Sequence, residues 1–195
     1  ILAVDTSGPV CGVAVVRDGQ VICESIAVNK HTHSASLLPM IDEALKRCGL
    51  TVGDMDLFAA VTGPGSFTGV RIGVCTVKGM AHGAGKPCAG VNALQALAAG
   101  IADAGALICP IQDARAGQVY GAAFRCGMPP QRALPDRAAK LDAYLNDVTH
   151  CAADGQALLF VGDGVQTYRE AITNALGSRA VFPPANTGYL RPSSA

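Results

Sequence analysis

The dipeptide Asp18-Gly19 separates two apolar runs and constrains the fold more than any other local feature of the sequence. Asp-Gly between alternating apolar residues is a strong signal for a type I′ hairpin, because both turn residues tolerate a positive φ. Residues 11–17 and 20–27 are therefore predicted to form antiparallel strands. Residues 1–5 are also apolar, so three strands are expected at the start of the chain.

After the third strand, helical and strand-like segments alternate. The sequence predicts helices over residues 34–48, 70–82 and 92–102, and strands over residues 57–62 and 87–92. Three strands followed by alternating helices and strands is the order of a ribonuclease-H-like or actin-like lobe. The predicted fold class is therefore α/β with a mixed sheet.

The second half of the sequence is predicted to repeat this order. A strand over residues 107–112 ends at Asp113, as the first strand ends at Asp5, and a small-residue hairpin partner follows each strand. Two duplicated lobes are therefore predicted, over residues 1–104 and 105–195. The remaining expected elements are a strand at 119–124, a loop at 126–137, helices at 138–148 and 165–176, and a strand at 157–161.

Composition excludes several classes of protein. The 15 basic and 15 acidic residues give a formal net charge of zero, which argues against a domain that binds nucleic acid on its own. Half of the residues are hydrophobic, which excludes a disordered chain. The longest stretch without charge, residues 87–102, is interrupted by glycine and polar residues and is too short for a membrane span.

The eight cysteines include no C-x-x-C pair, and Cys11 and Cys109 lie within apolar runs. Free thiols in a core are a simpler interpretation than disulfides or a zinc site. His31 and His33 lie two residues apart without the further ligands that a metal site needs. Free thiols indicate a reducing compartment, so a cytoplasmic protein without a metal is predicted.

The segment from Gly63 to Gly73 is the most distinctive motif. It lacks the Gly-Lys-Ser/Thr of a P-loop, and its glycine spacing misses the dinucleotide pattern by one residue. Two interpretations stay open, a strand-to-helix turn capped by Ser66 or Thr68 and an anion site at a helix start. The loop part of the motif consists of Gly63, Pro64, Gly65, Ser66, Phe67, Thr68 and Gly69.

Acidic residues end the first strand of each half. Carboxylates at two such strand ends are suited to hold a Mg²⁺-bound phosphate in a cleft between lobes. In the alternative, they cap their own turns through Asx hydrogen bonds. A glycine-flanked acid near residue 163 fits either a loop that faces adenosine or another turn. The candidate nucleotide cleft consists of Asp5, Thr6, Ser7, Asp113, Gly162, Asp163 and Gly164.

The first two predicted helices have apolar arcs wider than one face of a sheet buries. At about 100° per residue, the apolar residues of the first helix cover about 160°. On the second helix, Arg71, Cys75, Lys78 and His82 occupy a stripe only about 60° wide by the same geometry. Either another helix of the chain or a partner protein is expected to cover the excess.

These motifs together resemble the TsaB (YeaZ) family, whose members are required for threonylcarbamoyladenosine formation in tRNA. The glycine-rich motif is the most specific of them, and the main matches run in the family's order over about residues 1–125. The matching segments are residues 1–7, 33–34, 37–42, 63–73, 113–115 and 119–120, with weaker matches at 162–164 and 189–191.

The resemblance implies an actin-like fold of the ASKHA superfamily, with duplicated ribonuclease-H-like lobes. It also implies a non-catalytic role as the partner of the catalytic subunit TsaD, joined by the ATPase TsaE. A homodimer is implied when the chain is alone, and tRNA contact only through partners. No cofactor is implied as a requirement, with ATP or ADP bound at low affinity or only in the complex.

In this family the first two helices face TsaD. The resemblance therefore implies an interface of His33, Leu37, Leu38, Met40, Ile41, Ala44, Leu45, Val70, Gly73, Val74, Val77 and Met80. Family members usually carry a further helix before the terminal Tyr189-Leu190-Arg191, so an incomplete second lobe is expected. Two other functions remain open: an actin-like phosphotransferase using Asp5 and Asp113 with Mg-ATP, and, ranked last, a metallopeptidase.

Overall fold

The computed structural model describes residues 1–28, 32–101, 105–184 and 189–194. Within them the chain forms two compact units, with the boundary between Ala93 and Leu94. The segment that begins at Arg191 returns to the first unit. Leu97 packs against Gly162 within the second unit. Residues 102–104, at the predicted boundary, lie outside the described residues.

The first unit contains a five-stranded mixed sheet. Its order is β3-β2-β1-β4-β5, with β1 antiparallel to β2 and parallel to β4. Asp18 and Gly19 both have a positive φ between β2 and β3, as the type I′ turn requires. The predicted hairpin is therefore confirmed. The strands are β1 (Leu2–Asp5), β2 (Cys11–Arg17), β3 (Gln20–Ala27), β4 (Phe58–Val61) and β5 (Cys88–Val91).

Two helices cover one face of this sheet: α1 (His33–Arg47) and α2 (Phe67–Ala84). Leu2 and Val4 lie on the same face of β1, and both belong to a buried cluster that includes residues of both helices. Burial of each large aliphatic side chain in such a cluster contributes about 1.5–3 kcal/mol. α1 begins one residue before the predicted capping residue Ser34, whose hydroxyl donates to Thr32 Oγ1 instead (3.1 Å).

The C-terminal segment is fastened to the sheet of the first unit by a carboxylate of β3. Arg191 Nε donates to Glu24 Oε2 (2.9 Å), and the Ser193 N–H donates to Glu24 Oε1 (3.0 Å). These bonds hold the pKa of Glu24 below its ordinary value, although burial opposes the shift. Pro192 packs against the backbone of Gly12, where a Cβ would lie 3.0 Å from the proline ring.

The second unit repeats the arrangement with sheet order β10-β9-β6-β7-β8. β6 is antiparallel to β7 and parallel to β9, as β1 is to β2 and β4. Tyr144 fills its core, and the Tyr144 hydroxyl donates to the Ala122 carbonyl (2.8 Å). The strands are β6 (Leu107–Arg115), β7 (Gln118–Arg125), β8 (Gln131–Lys140), β9 (Leu158–Val161) and β10 (Ala180–Val181), and the helices are α3 (Ala93–Ala99), α4 (Leu141–Cys151) and α5 (Gly164–Leu176).

The loop predicted over residues 126–137 is wrong from Gln131 onward, because these residues form β8. β8 is an edge strand that pairs only with β7, and an edge accommodates Pro135 and charged side chains. Residues 138–140 continue β8, so α4 begins at Leu141 and not at 138. No helix among the described residues has the length and apolar character to cross a membrane.

Candidate functional site

The glycine-rich loop between β4 and α2 lies directly against the turn that follows β1. A Cβ on Gly65 would overlap the carbonyl oxygen of Ser7, and a Cβ on Gly69 would overlap that of Thr6. Gly65 also has a φ of 152°, which side chains rarely permit. The glycines of the motif are therefore needed for close approach of two backbone segments of the same unit.

Hydrogen bonds hold these two segments together. The Thr6 hydroxyl donates to the Gly69 carbonyl (2.7 Å), and the Ser66 N–H donates to the Ser7 carbonyl (2.7 Å). Ser66 Oγ accepts the Gly69 N–H (3.2 Å), so Ser66 and not Thr68 caps α2. The strand-to-helix turn is thus present as one of the two interpretations described it, and two backbone N–H groups at this helix start bond within the protein.

The Asp5 carboxylate is enclosed within this turn. Its side chain is buried, and Oδ1 accepts the backbone N–H of Ser7 (2.8 Å). Burial raises the pKa of Asp5, while the Ser7 N–H and the nearby His33 act in the opposite direction. His33 Nε2 lies 3.0 Å from the Gly8 carbonyl oxygen, which places the start of α1 beside the same turn.

The second unit has the same close approach at the end of β6. A Cβ on Gly162 would overlap the Ile111 carbonyl oxygen, and Gly162 has a φ of 105°. A Cβ on Gly164 would lie 3.2 Å from the same oxygen. The Gly162-Asp163-Gly164 loop is therefore packed on residues within β6, whereas the longer glycine-rich loop is packed on the turn that follows β1.

The two acids of the second unit face different partners. Asp113 Oδ1 accepts the Arg115 N–H (2.8 Å) and the Tyr168 hydroxyl (3.1 Å). Asp163 accepts the backbone N–H of Asp113, but burial and the Asp113 charge raise the pKa of Asp163 to about 6. Oδ1 of Asp163 has no hydrogen-bond partner among the described residues.

Asp5 and Asp113 bond in the same way, each to the N–H two residues on. This is the Asx turn that the sequence left open as the alternative to phosphate binding. A hard cation needs carboxylate oxygens that are free to ligate it, and the Asp5 side chain is buried within its own turn. In the first unit the Asx hydrogen bond is the arrangement observed.

The structure divides the implied interface residues of α1 into two sets. Leu38 is 57 % exposed, beside the exposed residues Ala35 and Asp42 one turn away on either side. Met40 and His33 are half-buried. The remaining four are buried in the core of the first unit and present no surface to a partner: Leu37, Ile41, Ala44 and Leu45.

The implied interface residues of α2 are also mostly turned inward. Val77 is buried in the core, and Val74 and Met80 pack against it. Gly73 is buried where a Cβ would lie 2.5 Å from Thr6 Oγ1. Val70 is half-buried. The sheet, α1 and the β1 turn cover part of the wide apolar arc, and Val70, Val74 and Met80 stay half-buried.

Sequence reasoning missed three features of these surfaces. Phe67 was counted as part of a structural loop, yet it is 69 % exposed at the start of α2. Glu24 and Tyr168 were not singled out, although one holds the C-terminal segment and the other bonds Asp113. The exposed aromatic in a turn motif was the one available signal. In the described part of the chain, no three His, Cys, Asp or Glu residues cluster as metal ligands do.

Comparison with known proteins connects this arrangement to a tRNA modification pathway. A family model described as TsaD, tRNA N6-adenosine threonylcarbamoyltransferase, matches residues 20–185. The chain is similar to the tRNA threonylcarbamoyladenosine biosynthesis protein TsaB of Bacillus subtilis, with 34% identity over 99% of this chain and 83% of that protein. The protein of the same name from Escherichia coli is 37% identical over 64% of this chain and 54% of its own length.

Solved structures show the fold independently. YeaZ from Pseudomonas aeruginosa superposes with a TM-score of 0.77 at 24% identity, over 99% of this chain and 87% of that one. The ethanolamine utilization protein EutJ from Carboxydothermus hydrogenoformans gives 0.55 at 11% identity, over 99% and 88%. The two mixed five-stranded sheets and these likenesses confirm the predicted actin-like α/β fold.

Proposed function

We propose that this chain acts as a non-catalytic partner, because it belongs to the TsaB family of tRNA threonylcarbamoyladenosine biosynthesis proteins. The TsaD family model also matches it. This chain associates with a TsaD-like catalytic subunit through α1 and α2, and that association activates the catalytic subunit. A TsaE-like ATPase joins the pair, and tRNA is contacted only through the partners. The expected compartment is the cytoplasm.

The state of the strand-end acids supports a non-catalytic role most directly. Asp5 is buried and bonded to the Ser7 N–H, and Asp113 is bonded to the Arg115 N–H and the Tyr168 hydroxyl. A phosphotransferase needs such acids to bind a metal or activate a nucleophile, and here they hold their own turns. We therefore propose that no cofactor is required, and that ATP or ADP binds at low affinity or only in the complex.

Leu38 supports α1 as part of the contact surface. It is the largest apolar side chain that the helix exposes, with 57 % of its surface accessible to solvent. Apolar side chains that take no part in a core are typical anchors of protein interfaces. When the catalytic partner is absent, the same face is expected to hold two copies of this chain together.

The partner role is tested by affinity between this chain and the TsaD-like subunit of the same organism. Leu38→Asp is expected to weaken association at least about tenfold, because it places a charge in an apolar contact. Met128→Asp is the matched control, since Met128 is 93 % exposed in the second unit. Wild-type affinity of Leu38→Asp, or no association of the wild-type chain, would contradict the proposal.

The phosphotransferase alternative is tested by activity. Asp5→Asn and Asp113→Asn keep side-chain shape and the ability to accept the turn hydrogen bond. Reconstituted tRNA modification is expected to stay within about twofold of wild type for both variants, since acids that act catalytically typically contribute 100-fold or more. A loss of that size without a loss of complex formation would favour an enzyme.

A further inference from the structure

One exposed face of α2 carries two positive charges, those of Arg71 and Lys78, and an exposed aromatic ring at its start. Five exposed residues fall within about 80° of the helix circumference and extend over about 22 Å of its length. The apolar side chains on the other faces of the helix are largely used by the core. This α2 stripe consists of Phe67, Arg71, Cys75, Lys78 and His82.

Phe67 forms the N-terminal end of the α2 stripe and contributes little to the fold. Its ring is 69 % exposed, while Ser66, Thr6 and the glycines make the contacts that shape the loop. The Arg71 guanidinium lies 3.7 Å from the ring centroid, in a cation–π contact across one helical turn. The contact restrains both side chains in advance, which lowers the entropy lost when a partner covers them.

The charges of the α2 stripe are not compensated within the unit. α2 contains no acidic residue, and within the described parts of the chain neither Arg71 nor Lys78 forms an ion pair with a carboxylate. On α1, by contrast, Lys46 is paired with Asp42. The exposed face of α2 therefore carries two positive charges without an ion-pair partner among the described residues, although the whole chain is neutral.

We propose that the α2 stripe docks an acidic helix of the TsaD-like partner, with Phe67 as its apolar anchor. This inference rests on the proposed function and names the chemistry of the surface that the partner must supply. Arg71 and Lys78 are seven residues apart, about 10.5 Å along the helix. A helix lying alongside matches this spacing with carboxylates one heptad apart.

Charge distinguishes this occupant from a second copy of the chain. In a two-fold symmetric contact through α2, the stripe meets itself and Arg71 and Lys78 face like charges. Added salt screens repulsion between copies and attraction to an acidic partner alike. Self-association through this face is therefore expected to strengthen with salt, while association with the catalytic partner weakens.

Charge also favours a protein over RNA as the occupant. Two cations on one helix neutralise few phosphates, and a chain of zero net charge lacks the wider basic surface that RNA binding uses. An RNA occupant would be revealed by binding of tRNA to the isolated chain and its loss on charge reversal.

The test is a titration of wild type and Arg71→Glu/Lys78→Glu with the TsaD-like subunit, at about 50 mM and about 500 mM NaCl. At low salt the double variant is expected to bind at least about tenfold more weakly, and at high salt the difference shrinks. Arg125→Glu/Lys140→Glu is the matched control, because both residues are exposed in the second unit. Phe67→Ala is expected to weaken binding by a factor that salt does not change.

The outcomes separate this inference from the proposed function. If Leu38→Asp prevents association while the double charge reversal binds as wild type at low salt, the partner role stands and the acidic helix is overturned. If the reversal abolishes tRNA binding by the isolated chain without affecting the TsaD-like subunit, the occupant is RNA. If the wild-type chain does not associate at all, the proposed function itself fails. Circular dichroism of each variant confirms that α2 remains folded.

Discussion

A glycine loop packs closely against the end of β1 in the first unit and against β6 in the second, and different chemical groups hold the two contacts. Both turns have an Asx hydrogen bond, accepted by Asp5 at the end of β1 and by Asp113 within β6. Both units also pack a glycine loop against a carbonyl oxygen, that of Ser7 in the first unit and that of Ile111 in the second. The first turn is bonded to its loop by the neutral Thr6 hydroxyl. The second depends on the carboxylate of Asp163, one oxygen of which has no partner. Equivalent geometry therefore does not imply equivalent stability.

The largest loss of stability is expected when a methyl group is added at each close approach, because both contacts are backbone to backbone. Gly69→Ala and Gly162→Ala are each expected to destabilise the protein by more than about 3 kcal/mol, because the new Cβ overlaps a carbonyl oxygen. Urea denaturation measures the loss. Gly79→Ala is the control within α2, since nothing lies within 4 Å of its Cβ position, and it is expected to stabilise by about 0.5–1 kcal/mol.

Removing the hydroxyl of Thr6 tests the neutral bond that only the first turn has. Thr6→Val is expected to cost about 1.5 kcal/mol, because the Gly69 carbonyl of α2 loses the Thr6 hydroxyl as a donor. Thr6→Ser keeps the hydroxyl and is expected to cost less. Equal losses in urea denaturation for the two variants would assign the effect to packing and not to the hydrogen bond.

The charge of Asp163 makes the second turn sensitive to pH. Because the folded-state pKa is raised from 3.8 to about 6, the protonated carboxyl stabilises the fold fully below pH 3.8, and this contribution is lost as pH rises through about 6. Asp163→Asn is therefore expected to stabilise by about 1–2 kcal/mol at neutral pH. The gain should vanish below pH 3.8 in thermal unfolding measured across pH. A gain independent of pH would show that the charge is not its source.

The smallest change in stability is expected from the loss of the Tyr168 hydroxyl. Its hydroxyl bonds Asp113, but Asp113 also retains the Arg115 N–H. Tyr168→Phe is therefore expected to cost less than about 1 kcal/mol in chemical denaturation. A cost above about 2 kcal/mol would mean that the second turn depends on this side chain as the first depends on Thr6.

Local sequence predicted those parts of the fold that local chemistry determines. Asp18-Gly19 permits a tight hairpin and Ser66 caps α2, and both features depend on residues within a few positions. β8 could not be recognised in this way, because Pro135 and its charged neighbours are atypical of strands. Its strand character comes from pairing with β7 alone at the edge of the sheet.

The candidate sites also depend on tertiary packing that local sequence does not reveal. Helical periodicity identified the apolar arcs of α1 and α2, but not which residues the unit's own core would use. Gly73 was expected at the partner interface, whereas the Thr6 side chain packs against it. Phe67 was hidden within a turn motif, since exposure depends on how α2 lies on the sheet and cannot be obtained from spacing.

The return of the C-terminal segment to Glu24 has a consequence for synthesis of the protein. Glu24 is made early, but its partner Arg191 lies 167 residues later. The polypeptide therefore has to produce the entire second unit before the ion pair on β3 can form, so the first unit completes its packing last. A fragment that ends at the boundary after Ala93 would leave this carboxylate without the cation that lowers its pKa. In the order of the chain, the second unit is inserted between two parts of the first.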